Sequence, residues 1–304
     1  MRIGVVSALC DAVELASLAL NKDLTAKDLT QELGEGLPEK EVSAYLEDAL
    51  GAAQQRAKAC GKGYYPFSVT SRLISITTPL KFDPYVFLLL GSSLKIGGVS
   101  DAERLARLFR RHFEDLVCWC LRRAGFSAEI LSIPRGERGL PISLKPALRE
   151  IASRFGEPAL LIEEKVTSDD NDLGVDVVAT WSQIDYGRSG RPIVLIQCAT
   201  GPVTELSSKL GEKASVFPKV WQLGFYQDSS IRTAATPDDL TGLEKVHWDR
   251  LSEQGWILDR LRLVQLAAAR KENPPVPPCL LALWDELSAC VSKMDWRNGW
   301  RGQL

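Results

Sequence analysis

The sequence predicts an α/β protein, a mixed β-sheet flanked by helices over residues 99–304, preceded by a mostly helical region over residues 1–98. Two stretches carry the β half of this expectation. Gly174–Trp181 and Ile193–Gly201 are rich in β-branched residues and short enough for strands, and Asp185, Gly187, Ser189, Gly190 and Pro192 supply turn chemistry between them. The helical half rests on 3.6-residue periodicity, clearest where Leu105, Leu108, Phe109, His112, Phe113, Leu116 and Cys120 form one stripe.

Composition narrows the class. A chain of 304 residues can hold one large domain or two moderate ones. Its formal net charge of −2 provides no overall field for nucleic acid or acidic lipid, so an anion-binding surface has to be local. Seven cysteines without a C-x-x-C pair, and only two well-separated histidines, His112 and His247, argue against a zinc site and against a disulfide framework. Asp11 and Glu14 interrupt any signal-peptide pattern, and no apolar run approaches the roughly 20 residues of a membrane span. A cytoplasmic protein is the expectation.

Taken in order, Val5, Leu9, Val13, Ala16 and Leu20 have helical spacing, and Thr25 with Asp28 forms a capping box opening a short helix through Leu33. Pro38 starts a helix to about Cys60, stopped by Gly61-Lys62-Gly63. A mixed segment reaches Pro79, and an apolar run covers Tyr85–Leu90. Ser100 and Glu103 resemble a second capping box, and the helix they open runs to Arg123 with Gly125 as its stop. His112 fits a core or boundary position, and the arginines from Arg104 to Arg123 mostly fall off the stripe, as on a solvated face.

Phe126–Ile133 reads as a strand, Pro134–Gly139 as a loop, Leu144–Phe155 as a helix and Ala159–Ile162 as a buried strand. After the two central runs, Val203–Phe217 has a helical pattern with Lys209 and Lys213 on one face, and Ile231–Thr236 reads as a strand. Leu251–Leu266 fits a strand or a helix. The segment Asn273–Pro278 is a stiff connector to a last amphipathic helix bearing Leu280, Leu283, Trp284 and Leu287, with Trp296 and Trp300 beyond it.

One residue breaks the pattern. Asp176 sits between Gly174 and the apolar Val177-Val178, in a run that should be buried, and a buried carboxylate needs a partner or a metal. Helix, strand, strand with Asp, strand ending in a polar residue, then helix: with G-V-D-V-V (Gly174–Val178), I-Q-C-A-T-G (Ile196–Gly201) and the lysine-bearing helix behind them, residues 100–265 resemble the PD-(D/E)xK nuclease superfamily, the restriction-endonuclease-like fold. The resemblance implies Mg²⁺ or Mn²⁺ held by Asp176, the Gln197 amide oxygen and the Cys198 carbonyl. Ala199 stands where the superfamily has its lysine, which implies Lys209, then Lys213, as the displaced amine. Glu114 is the match for the glutamate that members add from the first helix. Glu163-x-Lys165 has similar spacing but precedes Asp176, the reverse of the usual order, and Asp169, Asp170 and Asp172 read as an exposed acidic loop.

Phosphodiester hydrolysis sets an anion against an anion, which calls for a hard cation with oxygen ligands and a nearby ammonium. The expectation is therefore a Mg-dependent nuclease on DNA, in a restriction or anti-phage setting, with a homodimer favoured if both strands are cut. The alternatives are a nuclease-fold module without chemistry that binds nucleic acid or a partner subunit, which Gln197 and Ala199 favour, and an adaptor subunit docking through its helical and tryptophan-rich ends.

Overall fold

A computed structural model describes residues 3–33, 38–61, 63–77, 81–94, 101–157, 159–161, 172–181, 191–201, 204–211, 221–223, 230–269, 271–294 and 297. The N-terminal half begins with α1 (Ile3–Leu20), β1 (Leu24–Thr25), α2 (Ala26–Leu33) and α3 (Glu39–Cys60). The capping box forms reciprocally: the Thr25 N–H donates to the Asp28 carboxylate (2.9 Å) and the Asp28 N–H donates to Thr25 Oγ1 (3.1 Å). Helix α3 stops at Gly61, whose φ of 83° suits a residue without Cβ. The mixed segment that follows holds β2 (Phe67–Val69) and β3 (Leu73–Ile76), which pair antiparallel and add β1 on the other side of β3. This small sheet lies in the mixed segment of an otherwise helical region, among the described residues. Tyr85–Leu90 lies in α4 (Pro84–Ser93), with Asp83 as N-cap accepting from the Val86 N–H (3.0 Å) and Pro84 opening the first turn.

Helix α5 (Ala102–Arg123) follows the expected stripe, burying Leu105, Phe109, Phe113 and Leu116. Ser100 lies outside the described residues, and Asp101 holds the N-cap position without a side-chain cap bond. Next come β4 (Phe126–Ile130), a short 3₁₀ turn at Gly136–Arg138, α6 (Leu144–Phe155) and β5 (Ala159–Leu161). The central pair is β6 (Val177–Trp181) and β7 (Ile193–Cys198), antiparallel with Val177 opposite Ile196. Helix α7 (Thr204–Gly211), β8 (Trp221–Leu223) and β9 (Ile231–Ala235) lead to the undecided stretch. There the chain forms α8 (Lys245–Gln254), β10 (Trp256–Leu258) and α9 (Arg260–Ala268), so both readings of residues 251–266 hold in part. The prolines then open α10 (Pro278–Cys290).

The main sheet has five strands in the order β10-β9-β7-β6-β4. Strands β4, β6 and β7 are antiparallel neighbours, whereas β7, β9 and β10 run parallel, with α7 and α8 lying in the chain between them. Strands β5 and β8 pair separately. Burial alternates along the central strand: Val194 and Ile196 join the cluster containing α5, while Ile193 and Leu195 join the cluster built on α6. A third cluster joins Leu206 and Leu210 of α7 to Ala234 and Ile257 on that second face. Helices cover both faces, which is why the central strands read as continuous apolar runs. The largest cluster takes residues from both expected regions, from Leu9 to Met294. Phe82 helps fasten α10, its ring lying edge-on to Trp119 (5.7 Å) and to Trp284 (5.9 Å). Among the described residues no helix is long and apolar enough to cross a membrane.

Candidate functional site

Three strand ends meet around Asp176. A tight turn precedes it: Asp172 accepts from the Gly174 N–H (2.7 Å), and Leu173 and Gly174 both have left-handed φ, 55° and 74°. The chain emerges into β6 with the Asp176 N–H donating to the Ile196 carbonyl of β7 (2.9 Å). Just past the end of β4, the Leu131 N–H donates to the Asp176 carbonyl (2.7 Å). The Asp176 carboxylate turns across the end of β7 and accepts the Cys198 N–H at Oδ2 (2.7 Å).

These contacts to residues 196 and 198 bracket Gln197. Its side chain is buried, on the same face as Ile193 and Leu195, and its Nε2 donates back to the Gly174 carbonyl. The Gln197 Oε1 is buried without a hydrogen-bond partner. Such an orphan oxygen costs about 1–3 kcal/mol unless something takes it up. Asp176 and Gln197 thus occupy the same end of neighbouring strands.

From the opposite face, α5 brings Glu114 to this end of the sheet. Ser132 Oγ donates to the Glu114 carboxylate, and Arg138 reaches both of them, Nη1 lying 3.0 Å from Glu114 Oε2 and 2.7 Å from Ser132 Oγ. Burial, and next the charge of Asp176, push the Glu114 carboxyl up to about 7 against the pull of Ser132 and Arg138. Burial also raises Asp176 to about 6; the Cys198 N–H opposes it, Asp172 adds to it, and the cations of Lys209 and Arg138 oppose it. Lys209, half-buried on α7, is thereby within electrostatic reach of Asp176. Lys213, Glu163, Lys165, Asp169 and Asp170 lie outside the described residues.

Beyond the ends of β7 and β9 a cavity of about 220 Å³ opens along α5, lined by Arg110, Thr200, Gly201 and Asp238 among others. Crevices past the carboxyl ends of parallel strands are where α/β sheets place ligands. This one begins two residues after Cys198.

Sequence reasoning missed Ser132 and Arg138: Ser132 falls within the expected strand Phe126–Ile133, which in fact ends at Ile130, and Arg138 within a loop, with no pattern to mark either as part of a site. It also missed a second cluster. His112 and Asp115 of α5 and Cys279 of α10 bring one ligand atom each within 4.8 Å of one another. The i, i+3 spacing of the first two was available in the sequence; the approach of Cys279 was not. No protein-family model, curated protein or solved structure matches the chain.

Proposed function

We propose that this protein is a divalent-metal-dependent nuclease of the PD-(D/E)xK kind, hydrolysing phosphodiester bonds in nucleic acid, DNA in preference to RNA. A restriction or anti-phage role belongs to the same proposal. The observation that carries it is the orphaned, buried Gln197 Oε1 at the same strand end as the Asp176 carboxylate. The donors proposed there are all oxygens, the set that suits Mg²⁺ or Mn²⁺. Asp176, the Gln197 amide and the Cys198 carbonyl would hold the ion. Once bound, it would supply a Lewis acid for the phosphoryl oxygens and acidify a water.

The chain's own groups have complementary work. Asp176, with its carboxyl near 6, is ionised at neutral pH and ready to ligate. Glu114, near 7, can exchange a proton in the working range, with Ser132 and Arg138 fixing its orientation. Lys209 offers an ammonium to steady the attacking oxygen and the charge of the transition state. The sheet order β4-β6-β7, with α5 before these strands and α7 after them in the chain, supports the family resemblance, as does the position of Asp176 directly before β6.

A second reading has its own observation. Glu114 is satisfied by Ser132 and Arg138, so this part of the site holds together without an ion. A nuclease-fold module that binds nucleic acid or a partner subunit without cutting would look the same. Plasmid and oligonucleotide cleavage with Mg²⁺ or Mn²⁺, comparing the native chain with Asp176→Ala, separates the two. Cleavage abolished by the substitution supports the nuclease. Equal cleavage by both proteins refutes it, and salt-dependent DNA binding with no cleavage by either supports the module.

A further inference from the structure

Away from the oxygen-lined strand ends, the facing sides of α5 and α10 carry a different donor set. His112 and Asp115 are one helical turn apart on α5, and their Nδ1 and Oδ2 atoms are 3.1 Å apart. Cys279 comes from the first turn of α10. All three side chains are partly buried.

We propose that His112, Asp115 and Cys279 form a second metal site, one for a borderline-soft divalent ion such as zinc, with solvent in the fourth position. The His112–Asp115 edge is close to what the ion needs, and the Cys279 sulfur lies within 4.8 Å of both. Nitrogen and oxygen donors each about 2.0–2.1 Å from a tetrahedral zinc lie roughly 3.3 Å apart, and the sulfur of a zinc thiolate sits slightly farther out at about 2.3 Å. The observed 3.1 Å edge therefore requires only a small spreading of two side chains. On binding, Cys279 and His112 each give a proton to solvent, Cys279 ligating as thiolate and His112 through a neutral ring nitrogen, while Asp115 ligates through a carboxylate oxygen. Two anionic ligands and a dication sum to zero, which suits a half-buried pocket. Arg138, 3.6 Å from Asp115 Oδ2, is the outer partner that orients the carboxylate.

The ion would clamp α10, reached through the proline connector, onto the helix carrying Glu114. The two proposed sites share no ligand and differ in donor chemistry, although Arg138 touches both Glu114 and Asp115. A thiolate is a poor ligand for Mg²⁺, and an all-oxygen set is a poor one for a thiophilic ion.

Cobalt(II) titration of the full-length, metal-free protein tests the site without any assay of activity. The expected result is one equivalent bound with a thiolate-to-cobalt charge-transfer band and tetrahedral ligand-field bands, both displaced by zinc. Cys279→Ser should lose the charge-transfer band while keeping its fold by circular dichroism. Asp115→Asn should retain that band but weaken cobalt binding by at least about tenfold. A native protein without the band, or a band unchanged in Cys279→Ser because another cysteine carries it, overturns the proposal. So does Asp115→Asn binding cobalt as tightly as the native chain.

Discussion

Arg56 and Asp239, 183 residues apart, meet with guanidinium Nε 2.6 Å from carboxylate Oδ2, both side chains shut away from solvent. The same guanidinium reaches Asp11 (2.6 Å), Glu14 (3.0 Å) and Ser7 Oγ (2.8 Å). Arg260, equally buried, holds Asp11 from the other side (2.7 Å), and Tyr65 and Tyr85 donate to Glu14. Helices α1 and α3 are thus joined to the polypeptide around β9 and α9 by one satisfied polar network.

Removing a single partner strands the others. Arg56→Ala leaves the buried Glu14 and Asp239 and the partly buried Asp11 with one cation fewer, and should cost on the order of 3–5 kcal/mol in urea unfolding. Arg56→Lys should recover little of this, since an ammonium cannot reproduce the guanidinium fork. A loss under about 1 kcal/mol for the alanine variant would mean the network contributes far less than its burial implies.

Asp259 caps α9, accepting from the Arg262 N–H (3.0 Å), and burial pushes its carboxyl up to about 6. The folded protein keeps this proton to higher pH than the unfolded chain does. Its contribution therefore favours the native state most below about pH 4 and is lost as pH rises to about 6. Asp259→Asn keeps the capping acceptor without the charge. It should remove this share of the slope and gain roughly 1–3 kcal/mol near pH 7.5. Unfolding curves at several pH values check it; an unchanged slope would rule the assignment out.

Gly91 on α4 lies against the Phe109 ring of α5, and a Cβ there would sit 2.0 Å from Phe109 Cε2. Gly91→Ala should cost about 1–3 kcal/mol through overpacking. Adding Phe109→Leu should return part of it. Thermal unfolding of the two variants reads the difference, and additive losses would show that the ring is not the obstacle.

Gln197→Glu restores the carboxylate that the family resemblance leads one to expect. Without metal the extra buried charge beside Asp176 should lower the melting temperature. With Mg²⁺ or Mn²⁺ the stabilisation by mass action should exceed that of the native chain. Melting scans in chelator and in rising metal test this, and identical metal responses would remove Gln197 from the proposed ligand set.

Lys209→Ala should slow cleavage by about a hundredfold, the typical scale of one lost charge-stabilising group, with little change in melting temperature. The same measurement on Lys213→Ala decides which lysine serves. Unchanged rates in both variants would leave the proposed amine without a source.

Local pattern made much of this molecule legible. The stripe of α5, the limits of α6 and the antiparallel pairing of β6 with β7 follow from periodicity and turn residues, because burial of an element on one face or both is written along the element itself. That pairing also brings Asp176 beside Gln197. What lies beyond was decided by tertiary structure. Arg56, amid Ala-Gln-Gln-Arg-Ala-Lys on α3, resembles any solvated arginine until Asp239 and Glu14 close around it. Arg138 and Ser132 reach Glu114 from a loop, and Cys279 reaches His112 from the last long helix. Contacts between distant segments depend on how whole elements stack, and no periodicity within any one of them records its partner.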